Sequence, residues 1–170
     1  MVANVLNLEA AIRMGLSPMS GVDAALLARS SGKRVISLET AELQFAVLSA
    51  LSPEAEAQAL AETLALGDAL GDNAMQLAEA WRTGAATTLE ALLYEGLDES
   101  EAALELYEAM VFRRNEGMAD GLVAAVDAAG PRDVHFMVVG AAHFVGERNV
   151  RALLESRGYR VEHVAQAAPR

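Results

Sequence analysis

Three junctions of one kind constrain the fold of this chain more than any other feature of the sequence. In each junction a helical pattern ends at a glycine, a basic residue follows within two positions, and a β-rich run begins. The three glycines are Gly32, Gly130 and Gly158. Glycine suits the C-terminal end of a helix, and cations near that end are favoured by the helix dipole. Helices that alternate with short strands predict an α/β fold.

The spacing of apolar residues gives the approximate bounds of these elements. It predicts helices over residues 3–15, 22–31, 53–70, 72–82, 99–126 and 147–157, and strands over residues 35–38, 134–139 and 159–164. We therefore expect a helix-rich α/β protein, with a small mixed or parallel sheet of about three strands flanked by helices. A sheet this thin has exposed edges, so we expect a partner segment, a second subunit or a missing piece of chain to cover them.

The charge is concentrated in the middle of the chain. The net charge is −11, yet residues 39–108 carry fifteen acidic residues and a single basic one, Arg82. A block this acidic repels phosphate backbones, so we do not expect nucleic-acid binding. We interpret it as the solvated surface of a helical region over residues 41–128, within a single domain over residues 1–170.

Composition also excludes several classes of site. The chain has no cysteine, which rules out disulfides, zinc–thiolate sites and cysteine nucleophiles. No apolar run approaches the roughly 20 residues of a membrane-spanning helix, and no basic segment followed by an apolar block indicates a signal peptide. These patterns leave the cellular compartment open.

His143 occupies the position where α/β proteins usually carry their chemistry. The predicted strand 134–139 ends at Gly140, His143 follows three residues later, and a helical pattern begins after Gly146. Ligands of open α/β sheets bind at the carboxyl ends of strands. Histidine can act there as a metal ligand or as a general acid or base. The alternative is a ring that satisfies unpaired amides at the start of the next helix.

Two carboxylates are further candidates, each with a plainer alternative. Glu39 ends the strand 35–38, where it could reach the same sheet edge as His143 and act as metal ligand or general base. Its alternative role is to stabilise the start of the next helix, beside Thr40. Asp23 is a candidate substrate-binding residue, or else a capping or dipole partner at the start of the helix 22–31.

Arg113, Arg114 and Asn115 interrupt an otherwise amphipathic helix. Arg114 could bind a substrate carboxylate, or hold a catalytic glutamate through a bidentate pair. The alternative is a structural ion pair or a solvated turn. Asn115 could bridge to the turn around His143. The other histidines, His135 and His163, lie within and near the end of predicted strands, and we interpret both as structural.

The ordered set of these motifs resembles the TraB/GumN family, which is related to the Tiki proteins and more distantly to the erythromycin-esterase-like fold. The resemblance covers residues 2–163 and rests on Gly21-Val22-Asp23, the run from Gly32 to Thr40, Arg114-Asn115, the run from Val139 to Gly146, Leu154, and Gly158-Tyr159-Arg160-Val161. Family members carry two Gly-x-x-His motifs. Gly140-Ala141-Ala142-His143 matches the second, and no segment matches the first. The resemblance therefore implies the C-terminal portion of a family member.

The resemblance also implies a function. The family looks like metal-dependent hydrolases, peptidase-like in the Tiki branch. In the whole protein His143 and Glu39 would bind a divalent metal or act as catalytic groups, and Arg114 would orient a carboxylate or the substrate. Asn115 and Asp23 would contribute to substrate binding.

Without the first motif we expect this chain to hold no complete metal site, because catalytic zinc-type sites usually need three protein ligands. We therefore expect it to be inactive alone. The alternative is a non-catalytic regulatory or binding module, acting as a homo-oligomer or with a partner chain such as the missing N-terminal segment.

Overall fold

The computed structural model describes residues 2–97, 99–130 and 132–164, apart from the side chains of Pro18 and Leu48. Its regular elements in these ranges are α-helices joined by short turns. They are α1 (Val2–Arg13), α2 (Val22–Ala28), α3 (Ala41–Ser49), α4 (Pro53–Leu66), α5 (Ala69–Thr83), α6 (Ala86–Leu93), α7 (Glu101–Tyr107), α8 (Arg113–Asp127) and α9 (Val150–Ser156). A π-helical turn (Glu108–Phe112) joins α7 to α8 without a break, and 3₁₀ turns lie at Pro18–Ser20 and Ala141–Phe144.

The helices pack around two small apolar clusters. In one, α5 and α6 meet the chain after His143, where Ala80, Leu89 and Val145 are buried together. In the other, α8 packs on α9 through Met118, Ala119 and Val150, and partly buried Leu38, Met137 and Val139 cover it. Both clusters contact the segment 137–145, so they hold it from two sides. Elsewhere α1 lies against α4 and α5, and α4 lies against α7.

Several helix ends follow from local sequence. Ser52 caps α4 by accepting a 3.1 Å hydrogen bond from the Ala55 N–H, with Pro53 in the first helical position. Gly84 ends α5 in the left-handed conformation. After α9, the N–H groups of Gly158 and Tyr159 donate to the carbonyls of Glu155 and Leu154, which is a Schellman motif. The predicted starts and stops at these positions are confirmed.

The predicted α/β fold, with its sheet of about three strands, is wrong. The described residues contain no β-strand, and the runs 35–37, 134–139 and 159–164 have no regular secondary structure. Several of their apolar side chains face outward, among them Val134, which is 94% exposed, and Phe136, which is 80% exposed. A strand exists only when a neighbour pairs with its backbone, and these three runs do not pair with one another within the described residues.

Several helix bounds need correction as well. The helix predicted over 53–70 ends at Leu66, and the helix predicted over 72–82 already begins at Ala69. The helix predicted over 22–31 ends at Ala28, so Gly32 lies in a separate turn and does not cap it. The helix predicted over 147–157 begins only at Val150, because Asn149 caps it by accepting from the Ala152 N–H. Among the residues that the structure describes, no helix has both the length and the apolarity needed to cross a membrane.

Candidate functional site

His143 lies in the 3₁₀ turn Ala141–Phe144, and only 6% of the residue is exposed. The turn is closed by the His143 N–H, which donates to the Gly140 carbonyl at 2.9 Å. The His143 side chain is held by Asn115 of α8, whose Oδ1 lies 2.6 Å from Nδ1 of the imidazole. A turn and a helix 28 residues apart in sequence are thus joined by one buried hydrogen bond.

Asn115 fixes the tautomer of His143. Its Nδ2 donates to the Arg148 carbonyl at 2.7 Å, so its Oδ1 is the atom that faces the imidazole. An amide oxygen only accepts hydrogen bonds, and His143 must therefore carry its proton on Nδ1. The Nε2 lone pair is left available to accept a proton or to bind an electrophile. Asn115 is fully buried, which makes its amide hard to reorient.

The surroundings keep this imidazole neutral. Burial lowers the pKa of His143 below its usual value of 6.5, and the positive charge of Arg114 lowers it further. The negative charge of Glu39 acts in the opposite direction and is the smallest of the three influences. A neutral imidazole at neutral pH is the form that can serve as a base.

Arg114 and Glu39 form a bidentate ion pair. Arg114 Nε donates to one carboxylate oxygen at 2.7 Å, and Nη2 donates to the other at 2.8 Å. The Glu39 side chain is 9% exposed and that of Arg114 is 20% exposed. The hydrogen bond from Arg114 is the main reason that the pKa of Glu39 lies below its usual value of 4.5. Glu39 is therefore ionised at neutral pH, with both oxygens engaged.

The π-helical turn helps to aim Arg114. Within it the Arg113 N–H bonds to the Glu108 carbonyl, five residues back instead of four. The third donor of Arg114, Nη1, reaches the Met110 carbonyl at 2.9 Å. All three nitrogens of the guanidinium are thereby fixed by acceptors. π-Helical turns are rare and occur often at functional sites.

Four of the five predicted site residues lie together. Glu39, Arg114 and His143 interact electrostatically, and Asn115 follows Arg114 on the same helix. Asp23 is separate from these four. It lies in the first turn of α2, and its side chain makes no hydrogen bond or ion pair with a described residue. It does not cap α2 either, because the N-cap position is held by Gly21.

Sequence reasoning missed three residues that support the His143 turn. The Tyr94 hydroxyl donates to the carbonyls of Ala142 and Val145, each at 3.2 Å. Arg148 lies over the Phe112 ring at 4.4 Å and pairs with Glu108 and Glu116. The third, Asn149, caps α9. Only Asn149 had a visible signal, an asparagine directly before a helical pattern.

The described residues do not make a metal centre by themselves. No group of three or more histidine, cysteine or acidic residues among them is arranged to hold an ion. Glu39, one of the two predicted ligands, already accepts two hydrogen bonds from Arg114. With Nε2 of His143 and the remaining lone pairs of Glu39, the predicted ligands number at most two, and a catalytic zinc site usually takes three protein ligands.

Comparison with known proteins places the chain in a family. The model of the TraB/PrgY/gumN family matches residues 1–163. A zebrafish (Danio rerio) protein described as metalloprotease TIKI2 is 33% identical over 76 residues, which is 45% of this chain and 14% of that relative. No solved structure matches significantly. The family match spans Glu39, Arg114, Asn115 and His143, and it covers nearly the whole chain, which therefore belongs to the TraB/PrgY/gumN family.

Proposed function

We propose that this chain supplies the histidine side of a hydrolytic site that acts on peptides. The observation that carries the proposal is the 2.6 Å contact between Asn115 Oδ1 and His143 Nδ1. It leaves Nε2 as the free nitrogen of a neutral, nearly buried imidazole, which suits a group that takes a proton from an attacking water. The metalloprotease relative supports hydrolysis of peptides as the reaction.

Each of the other residues has a part in this proposal. Asn115 positions His143 and sets its tautomer. Glu39 holds the Arg114 guanidinium through two hydrogen bonds. Arg114 in turn places a positive charge beside the imidazole, where it favours the neutral form and attracts the carbonyl oxygen or carboxylate of a substrate. Asp23 is proposed to bind substrate at a distance from these four.

We propose that the chain is inactive alone. His143 and Glu39 are the two candidate ligands, and both oxygens of Glu39 are engaged. Any divalent metal of the whole site would need ligands beyond the residues described here, supplied by another segment or another chain. The site therefore offers a base and an oriented cation without a complete set of metal ligands.

Two measurements test this function. NMR of ¹⁵N-labelled protein should show His143 protonated at Nδ1, with a pKa below 6.5, and a His143→Gln variant assigns the signal. A proton on Nε2, or a raised pKa, would contradict the role as base.

Purified chain incubated with a quenched fluorescent peptide library and Zn²⁺, Mn²⁺ or Co²⁺ should show no turnover. Metal-dependent turnover that disappears in His143→Ala would show that the chain is active by itself.

The outward apolar face of residues 134–136 favours a second candidate, a non-catalytic module that acts by association. Val134 and Phe136 are both more than three-quarters exposed, and large apolar side chains exposed side by side often mark interaction sites. Sedimentation equilibrium tests this function. A dimer that dissociates in Phe136→Ser would favour it, and a monomer at all concentrations would count against self-association.

A further inference from the structure

The segment 134–139 presents a free backbone beside the His143 turn. Its residues alternate, with Met137 and Val139 packed on the cluster around Val150, and Val134, Phe136 and Val138 facing outward. None of its N–H or carbonyl groups forms a hydrogen bond with another described residue. Alternation with unpaired backbone groups is the arrangement to which an extended peptide can add as a strand.

A groove of about 550 Å³ lies where this segment reaches the turn. It is lined by residues of this segment and the turn, Val138 to Ala141, by the loop around Ser17 and Ser20, by the start of α2, and by Trp81 of α5. Ala141 begins the turn that carries His143, so the groove reaches the start of that turn.

The groove has the chemistry of a cation site. The Asp23 carboxylate lines it and has no charged or hydrogen-bonding partner among the described residues. Trp81, 54% exposed, lines it as well. A carboxylate supplies a charge for an ammonium or guanidinium group, and an indole face attracts the same cation. The Ser20 side chain, also without a described partner, adds a hydroxyl.

We propose that this groove binds an extended substrate peptide through a lysine or arginine side chain placed between Asp23 and Trp81. The peptide backbone pairs with the free edge of residues 136–139, and the bond to be cleaved lies towards His143. This inference rests on the proposed function, because it takes the groove as the path to the site. It assigns to Asp23 and Trp81 the choice of a basic side chain.

Trp81 makes the test direct, because it is the single tryptophan of the chain. Its fluorescence is followed while acetyl-Val-Ser-Lys-Ser-Val-amide is added, and a matched peptide carries norleucine in place of lysine. The lysine peptide should bind about fivefold more tightly, since the exposed Asp23 carboxylate and the exposed Trp81 indole face each favour an ammonium group. Asp23→Asn should remove that preference. Asp68→Asn, a change at an exposed carboxylate outside the groove, should leave it intact.

A third peptide separates strand pairing from simple charge attraction. Methylation of its alternate backbone nitrogens should abolish binding if residues 136–139 pair with it. Equal affinity for the lysine and norleucine peptides, an Asp23→Asn variant that binds like the parent, or an unaffected methylated peptide would each overturn the proposal. So would a fluorescence change that follows protein concentration, with dimers in sedimentation, since a second copy would then fill the groove.

The binding measurement needs no turnover, so it stands apart from the test of function. If the peptides fail to bind while His143 shows the expected tautomer, the groove assignment is wrong and the proposed base is untouched. If the peptides bind as expected while His143 carries its proton on Nε2, the groove stands and the proposed function fails.

Discussion

The segment 134–146 has two halves that are held in opposite ways: a free half, residues 134–139, and a supported half, residues 140–146. In residues 134–139 the side chains of Val134, Phe136 and Val138 face outward, and the backbone groups have no partners among the described residues. Residues 140–146 contain a closed turn and a nearly buried histidine, and Tyr94 donates to two of their carbonyls. The contrast teaches that side chains from distant helices hold the turn, and that the neighbouring run is left free to pair.

Loss of Asn115 should have the largest effect on stability. Asn115→Ala leaves the ring Nδ1–H of His143 and the carbonyl of Arg148 without their partner in a buried place. This loss should lower the free energy of unfolding by about 3 kcal/mol. The change is measured by urea denaturation. Asn7→Ala, on the exposed face of α1, is the matched control and should cost less than about 0.5 kcal/mol. Equal effects of the two variants would mean that the turn does not depend on Asn115.

Removal of Arg114 should come next. Arg114→Met strands the Glu39 carboxylate, 9% exposed, and should lower the free energy of unfolding by about 2 kcal/mol. The control is Arg82→Met, which breaks an exposed pair within α5 and should leave the unfolding midpoint unchanged.

The contribution of the Glu39–Arg114 pair to the free energy of unfolding should depend on pH. Because the folded pKa of Glu39 lies below 4.5, its contribution is fully present above that pH and is lost as the pH falls through the folded value. This loss should be absent in Arg114→Met.

A methyl group at Gly146 should destabilise the supported half of the segment. Gly146 has φ +81°, and a Cβ there would lie 2.8 Å from Tyr94 Cε2. Gly158 has a similar φ of +89° but open space around it. Gly158→Ala should therefore cost about 1 kcal/mol from backbone strain, and Gly146→Ala about 2 kcal/mol from strain and the displaced ring. Thermal unfolding of both variants measures the difference, and equal costs would show that Tyr94 moves aside freely.

Titration of His143 should produce a smaller effect in a separate pH window. Its folded pKa is below 6.5, so the unfolded chain binds more protons and stability is lost as the pH falls below about 6.5. Urea midpoints between pH 7.5 and 5.5 should show the decline. The decline should persist in His135→Gln, a change at an exposed residue in the free half of the segment. It should disappear in His143→Gln. A flat profile for the parent chain would contradict the lowered pKa.

The smallest effect should come from the free half itself. Phe136→Ser replaces a side chain that is 80% exposed, and stability should change by less than about 0.5 kcal/mol. Thermal unfolding measures this change and allows a direct comparison with Gly146→Ala, ten residues further along the segment. A clear loss of stability would show that Phe136 is covered in solution, by another copy or by the chain itself.

The predictions that succeeded concern interactions between residues near in sequence. Ser52 with Pro53 fixed the start of α4, and Gly84 and Gly158 marked the ends of α5 and α9. The prediction of a sheet was wrong because alternation and β-branched residues favour an extended chain but do not supply a neighbouring strand for it. A run such as 134–139 can look like a strand and still have no strand beside it.

The site was foreseen in part. Chemistry and spacing, together with the family resemblance, singled out Glu39, Arg114, Asn115 and His143, and the structure brings these four together. A bidentate pair of Arg114 with a glutamate and a bridge from Asn115 to the His143 turn were among the alternatives considered, and the structure contains both. Spacing alone could not identify the glutamate as Glu39, since it lies 75 residues from Arg114. Tyr94 gave no signal at all, because a tyrosine near the end of a helix is compatible with many environments.

Local chemistry was enough to set where helices begin and end, and to place a histidine just after a glycine turn. Capping and backbone preferences act within a few residues, so the linear order of side chains contains them. Which amide meets His143, and whether the β-rich runs find neighbours, depends on contacts between remote segments. Those contacts form only when the helices pack, and for this reason the tautomer of His143 and the free edge beside it became visible only in three dimensions.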